Sequence, residues 1–246
     1  MRFDWMAMPV EERTVSVLDA LEDVSAVLDS NDLERARTEL NAPLVERPTG
    51  EWTVEPSGDP LAMGLLVVEG VLARNIRLGE ATTTELVGPC DLLRPAHYYD
   101  ADAPIPVGVD WFVLEPARLA VLDREVTAAV CQWQPVVTAI VAAAISRAWS
   151  LAQLLAVSHL RRVDSRLLAL FWHLADRFGR VQAEGVTVPI RLTHEALGHV
   201  VGAQRLSVTI VLNQLEESGW ISWCEGGGWL LHGEPPRELQ FSKTGP

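Results

Sequence analysis

Leu192-Thr193-His194-Glu195-Ala196-Leu197-Gly198-His199-Val200-Val201-Gly202 runs directly into Ala203-Gln204-Arg205-Leu206-Ser207-Val208-Thr209-Ile210-Val211-Leu212-Asn213-Gln214-Leu215. The first stretch reads as a short helix closing on a glycine, the second as another helix. A helix-turn-helix needs a small residue where the first helix touches the second, and Ala196 supplies it. It also needs a residue that tolerates a tight turn, and Gly202 does. Leu197, Val200, Val208, Val211, Leu212 and Leu215 then lock the two helices together. This leaves Gln204, Arg205, Ser207, Thr209 and Asn213 on exposed faces of the second helix, with Thr193 and His194 at the start of the first. Such side chains hydrogen-bond base edges or phosphates in a major groove, so these seven form the expected DNA-binding set.

The flanking sequence extends the motif. Glu216 to Gly219 ends the second helix. Trp220 to Cys224, the glycine turn Glu225 to Gly228 and Trp229 to His232 then read as strand, turn and strand. Helix-turn-helix followed by a hairpin is a winged helix, expected over residues 163–246.

Upstream, residues 124–162 read as one long helix in which Pro135 marks a kink or a fresh first turn. Val137, Val141, Ala144, Ala148, Leu151, Leu155 and Ser158 step by alternating fours and threes, a heptad seam with small residues in its middle. We read it as a parallel dimer interface, with Ile140, Ile145 and Leu154 packing on the chain's own barrel. Asp164 is the expected N-cap of an amphipathic helix over Arg166 to Arg180. From Pro43 to Asp123, short apolar runs alternate with Gly and Pro, as in an antiparallel barrel or roll. Residues 11–41 look helical. The fold class is therefore α+β: an N-terminal effector domain (residues 1–123), a dimerisation helix and a C-terminal winged helix.

This order of elements resembles the cyclic-AMP receptor protein/FNR (Crp/Fnr) family of bacterial regulators over essentially the whole chain. The most specific match is Leu192 to Ile221, with Gly202 to Val208 opening the recognition helix. The family pattern places Arg, Glu and Ser/Thr in sequence, then a second Arg. Arg205 and Ser207 match; Leu206 stands at the Glu position and Ile210 at the second Arg position. The family's usual target sequence is therefore not carried over. Leu206 is placed to touch a thymine methyl or simply to pack.

The resemblance implies a cyclic-nucleotide-binding-like β-roll (jelly roll) at the N-terminus. Nucleotide-binding members use a Gly-Glu pair on the ribose and an Arg-Ser/Thr pair on the phosphate. Aligned on Gly88 to Leu93, these fall at Arg94-Pro95 and near Val107. Neither pair is kept, and a buried phosphate needs a positive partner. Cyclic AMP is not expected to bind in the family manner, the effector is unassigned, and Arg94 is left for a different anion. An iron–sulfur cluster needs four placed cysteines, and the chain has three, Cys90, Cys131 and Cys224. His97 beside Tyr98-Tyr99 is a weak haem-ligand candidate, and the six His show no metal spacing. No cofactor and no metal are expected. The nine Trp read as packing residues, with ligand stacking by Trp52 or Trp111 as the minority reading.

Charge is partitioned. The net charge of −13 comes wholly from residues 1–158, which hold 11 Arg/Lys and 24 Asp/Glu, whereas residues 159–246 hold 9 of each. Phosphate repels an acidic surface, so a nucleic-acid face belongs to the second part. The uncharged run Gln132 to Ser146 looks too short and too rich in Ala to span a bilayer. No basic-then-apolar leader opens the chain, and a cytoplasmic protein with no membrane partner is expected. No nucleophile–base pair or phosphate loop is visible, so no enzyme is expected. The expected partners are double-stranded DNA carrying an inverted repeat, a second copy of the chain and RNA polymerase. The alternative is a signalling or scaffold protein of the same fold that binds no DNA.

Overall fold

A computed structural model describes residues 13–54, 59–94 and 104–239. The chain divides into two compact units, residues 1–149 and 150–246. His97, Tyr98, Tyr99 and Pro95 lie outside the described residues.

The first unit is built on an antiparallel sheet. Its strands are β1 (Thr14–Ser16), β2 (Asn41–Arg47), β3 (Gly50–Trp52), β4 (Gly64–Leu78), β5 (Ala81–Val87), β6 (Leu92–Leu93) and β7 (Gly108–Leu122). The order is β1-β2-β7-β4-β5, with β3 added to β7 and β6 to β4. The sequence suggests many short strands, but β4 and β7 are 15 residues each and pair from Gly64–Leu122 to Arg77–Gly108. Gly70 punctuates a bulge inside β4 rather than a turn between strands, because the register shifts between Val67 and Leu72. Bulges let one long strand bend through both halves of a roll.

Strand alternation divides the interior in two. Leu65 and Val67 on β4, with Val113, Ala117, Leu119 and Val121 on β7, point into the roll beside Trp52 and Trp111. Those two indoles are buried with ring centroids 5.8 Å apart. Leu66 on β4 and Ala120 and Leu122 on β7 point the other way, under a layer of helices. That layer corrects the helical reading of residues 11–41. β1 pairs along Asn41 to Pro43, a 3-10 turn covers Val17–Ala20, and only then come α1 (Glu22–Val27) and α2 (Ser30–Glu39). Thr14-Val15-Ser16 prefers the sheet because its branched residues fit an edge strand. Asp29 restarts the helix by accepting the Asn31 and Asp32 amides at 3.0 and 2.9 Å.

The expected long helix is two. Asp123 caps α3 (Arg124–Val130), a turn at Cys131–Trp133 intervenes, and α4 (Gln134–Ser158) begins with Pro135 in its first turn. Val136 and Ile140 are buried in the helical layer's core. Ile145, expected on the barrel, is instead 65% exposed. At 25 residues α4 is long and apolar enough to cross a bilayer, longer than the uncharged run in the sequence suggested. Its one charge explains its role here. Arg147 donates from Nε to Glu85 Oε1 at 2.7 Å and from Nη1 to the Leu92 carbonyl at 3.0 Å. Glu85 is itself buried and also pairs with Arg74 of β4. α4 is thus fastened to the sheet by a buried carboxylate held between two guanidiniums.

The second unit contains α5 (Val163–Phe178), β8 (Arg180–Gln182), β9 (Gly185–Val188), α6 (His194–Val201), α7 (Arg205–Glu217), β10 (Ile221–Trp223) and β11 (Trp229–Leu231). Its four-stranded sheet runs β10-β11-β9-β8. The hairpin β8–β9 was not anticipated; Val181-Gln182-Ala183-Glu184 carries no strong turn pair. Asp164 is not the N-cap of α5. The cap lies two residues earlier, at Arg162, so the helix begins at Val163 and Asp164 lies in its first turn.

Breaking a buried ion pair by removing one partner is costly, because the remaining charge keeps its desolvation penalty. Glu85→Ala removes the carboxylate that Arg74 and Arg147 share. The expected loss in urea unfolding is about 3–5 kcal/mol; a loss under about 1 kcal/mol would mean that the triad is solvated.

Candidate nucleic-acid interface

The turn between α6 and α7 follows from three residues. Thr193 caps α6, its hydroxyl accepting the Ala196 amide at 3.0 Å. Gly202 ends α6 in the left-handed region at φ 64°, where a side chain is strained. The small residue that close approach demands is Gly198, not Ala196. A Cβ on Gly198 would lie 2.6 Å from the Ala203 carbonyl oxygen, and the Ala203 amide donates to the Gly198 carbonyl at 2.9 Å. Its signal was present in the sequence, a glycine in mid-helix with no turn to explain it.

Arg166 of α5 was also missed. Its guanidinium donates to the Leu160 carbonyl at 2.6 Å and to the Val201 and Gly202 carbonyls at 3.2 and 3.1 Å. Those last two carbonyls end α6, so Arg166 satisfies orphan acceptors and ties α5 to the turn. No periodicity in the sequence marks a residue chosen for carbonyls 35 positions away.

α7 buries Val208, Leu212 and Leu215. At about 100° per residue, the side opposite this stripe carries Leu206, Ile210 and Asn213. Arg205 and Gln204 are exposed, and Ser207 is half-buried. Thr209 is half-buried and already engaged. Its hydroxyl donates to the Arg205 carbonyl at 3.0 Å, and its oxygen lies 2.8 Å from His194 Nδ1. A hydroxyl has one hydrogen, so while it is given to the Arg205 carbonyl the Thr209 oxygen can accept from an Nδ1–H tautomer of His194. The pair staples the start of α6 to the first turns of α7. Of the seven expected residues, Thr193, Thr209 and His194 therefore shape the motif, while Gln204, Arg205, Ser207 and Asn213 present free polar surface or part of it.

The wing is packed around Trp229, which is buried with its ring centroid 5.4 Å from Phe171 and 5.0 Å from Trp223. Arg191 braces its turn by donating to the Gly226 carbonyl at 2.7 Å. Ser222 and His232 join β10 to the chain after β11 at 2.9 Å. The wing is thus a fixed extension of the motif.

At the start of α5, the Arg162 guanidinium holds the Asp164 carboxyl below its ordinary range. Further along, burial pushes the His173 imidazole below its usual value, and its Nε2 lies 2.8 Å from the Ser150 hydroxyl.

On α4, Val141, Ala144, Ala148, Leu151 and Leu155 of the expected seam are exposed, and Val137 is half-buried against the helical core. In the first unit, Arg94 donates to the Asp59 carbonyl at 3.2 Å. Val107 is half-buried and offers no charge for a phosphate. Among the described residues, no cluster of three or more His, Cys, Asp or Glu is arranged to hold a metal.

A Cβ at Gly198 would run into the Ala203 carbonyl in the turn that joins the two helices. Gly198→Ala is expected to destabilise the second unit by about 1–3 kcal/mol and to weaken DNA binding with it. Thermal unfolding and duplex titration check this, and an unchanged melting point would show that the turn has room.

Residues 165–232 match the family model of the Crp-like helix-turn-helix domain. The chain is 28% identical over 176 residues to a global nitrogen regulator of Synechococcus elongatus, covering 67% of this chain and 75% of that one. Two solved structures share its fold. One is FixK2 from Bradyrhizobium japonicum, with a TM-score of 0.59, 14% identity and coverage of 82% of this chain and 99% of that chain. The other is a CooA mutant from Carboxydothermus hydrogenoformans, with a TM-score of 0.60, 14% identity and coverage of 79% and 84%. With the Crp-like helix-turn-helix over residues 165–232 and its similarity to curated transcriptional regulators, the protein is a DNA-binding transcriptional regulator of the Crp/Fnr type.

Proposed function

We propose that the protein acts as a cytoplasmic homodimer that recognises an inverted-repeat site sequence-specifically, and that it does so without cyclic AMP bound in the family manner. One observation carries the reading: α4 keeps Val141, Ala144, Ala148, Leu151 and Leu155 exposed on one stripe while Val136 and Ile140 are buried on another. A row of apolar and small residues at heptad spacing suits a second identical helix. Two-fold symmetry would then set two α7 helices about one helical turn of DNA apart, in inverted orientation. Arg205, exposed in the first turn of α7, is the residue assigned to a guanine edge or a phosphate.

Val107, half-buried and apolar where the family's phosphate-binding Arg falls, argues against the family's phosphate clamp. The effector, where one acts, is a different molecule. RNA polymerase is the proposed downstream partner. No catalytic role is assigned. The acidic first unit favours a second reading, a scaffold of this fold that leaves DNA alone, which the following experiment separates.

Purified protein is presented with a random duplex library without added nucleotide, and the winning site is titrated with Arg205→Ala. An enriched inverted repeat is expected, bound about 1–3 kcal/mol more weakly by the variant. Absence of enrichment under every condition would favour the scaffold. Separately, Leu151→Glu places like charges face to face across the proposed seam. Light scattering should then show a monomer where the parent is a dimer, and an unaltered dimer would place the interface elsewhere.

A further inference from the structure

We propose that Leu206 and Ile210 are specificity-determining residues that read the C5-methyl groups of thymine, so that the half-site is defined by T·A pairs at the centre of the α7 footprint. This rests on α7 entering the major groove, the reading given above.

The observation is where these side chains point. Leu206 is 71% exposed and Ile210 50% exposed, on the side of α7 opposite Val208, Leu212 and Leu215. Neither packs in the core, which removes the ordinary reason for a large aliphatic residue on a helix. They stand four residues apart and so share one face, with Asn213 continuing the line. Polar groups flank them: Arg205 and Gln204 are exposed in the same first turn, and Ser207 is half-buried beside them. The surface is therefore an apolar stripe rimmed by hydrogen-bonding groups, continuous with the domain's DNA-binding helix.

The chemistry of the groove selects the occupant. Each base pair shows a distinct pattern in the major groove, and thymine alone presents a methyl group there. A leucine or isoleucine has no donor or acceptor for a guanine or cytosine edge. Set against such an edge it would strip water from polar atoms and return nothing. Against a thymine methyl it buries apolar surface on both sides. The rigid staple of His194 and Thr209 holds this turn of α7 in place, so the stripe meets the bases at fixed height.

The test begins from the duplex enriched by selection. Each thymine is replaced singly by deoxyuridine, which deletes the methyl and keeps both the base pair and its hydrogen-bonding edge. Binding is measured for the parent, for Leu206→Ala/Ile210→Ala and for Leu206→Glu. Both side chains are exposed, so the alanine variant retains its core, and its unfolding transition confirms this. The expected result is a loss of about four-fold per methyl for the parent, and none for the double-alanine variant. Re-selection with Leu206→Glu should shift the preferred base at the read position towards cytosine, whose N4 amino group donates to a carboxylate. Equal binding of thymine and deoxyuridine duplexes by the parent would overturn the proposal and leave the DNA reading standing. An equal loss in the parent and the double variant would also overturn it, because DNA shape would then be responsible. If no duplex is enriched and none binds with a salt-dependent slope, the groove-binding reading itself fails and takes this inference with it.

Discussion

The buried carboxylate of Glu85 is the constraint on which the use of α4 depends. A helix of 25 residues with one charge would bury itself wherever it found apolar surface. Arg147 gives it a register. Its guanidinium reaches Glu85 and the Leu92 carbonyl, and that contact turns Val136 and Ile140 inward and leaves Val141, Ala148 and Leu155 outward. An ion pair of this kind adds little net stability against a well-packed apolar substitute, but it penalises every alternative rotation of the helix. Its value lies in specifying which face of α4 is left exposed.

A comparable device operates in the winged helix at smaller scale. Gly198 lets α6 approach Ala203, Gly202 turns the chain, and Arg166 satisfies the carbonyls that the turn exposes. The Thr209 hydroxyl then joins His194 to the backbone of Arg205. Each contact is polar or steric rather than hydrophobic, and each removes a degree of freedom from α7. The apolar core of Val208, Leu212 and Leu215 supplies cohesion, and these contacts supply orientation.

How much of this was legible in the sequence depended on the range of the interaction. Local periodicity showed α6, α7, the wing and the heptad stripe, because their signals lie within a few residues. The N-cap of α5 slipped by two residues, because Asp164 looked like a cap while its carboxylate was engaged by Arg162. The strands β4 and β7 read as short because Gly70 inside bulged β4 and Pro116 inside β7 resemble the turn residues found between strands. The contacts of Arg166 with the Val201 and Gly202 carbonyls and of Arg147 with Glu85 carried no sequence signal, since they join positions 35, 36 and 62 residues apart. Ile145 was assigned to the barrel by hydrophobicity alone, and hydrophobicity does not say which apolar face a partner requires.

The charge distribution ties these features to a style of recognition. The second unit holds 9 positive and 9 negative side chains, so it carries no net positive charge to draw it onto DNA at long range. A domain with little electrostatic attraction must obtain affinity from contacts that are close and correctly placed. A rigid α7 lowers the ordering cost of each contact. In the proposed dimer, two copies joined through α4 would make the second contact effectively intramolecular. Weak attraction to phosphate also means weak binding to arbitrary sequence, which raises the ratio of specific to non-specific affinity even where the specific contacts are few. The acidic first unit acts in the same direction, because its 24 carboxylates against 11 basic groups discourage any other face from lying on the duplex.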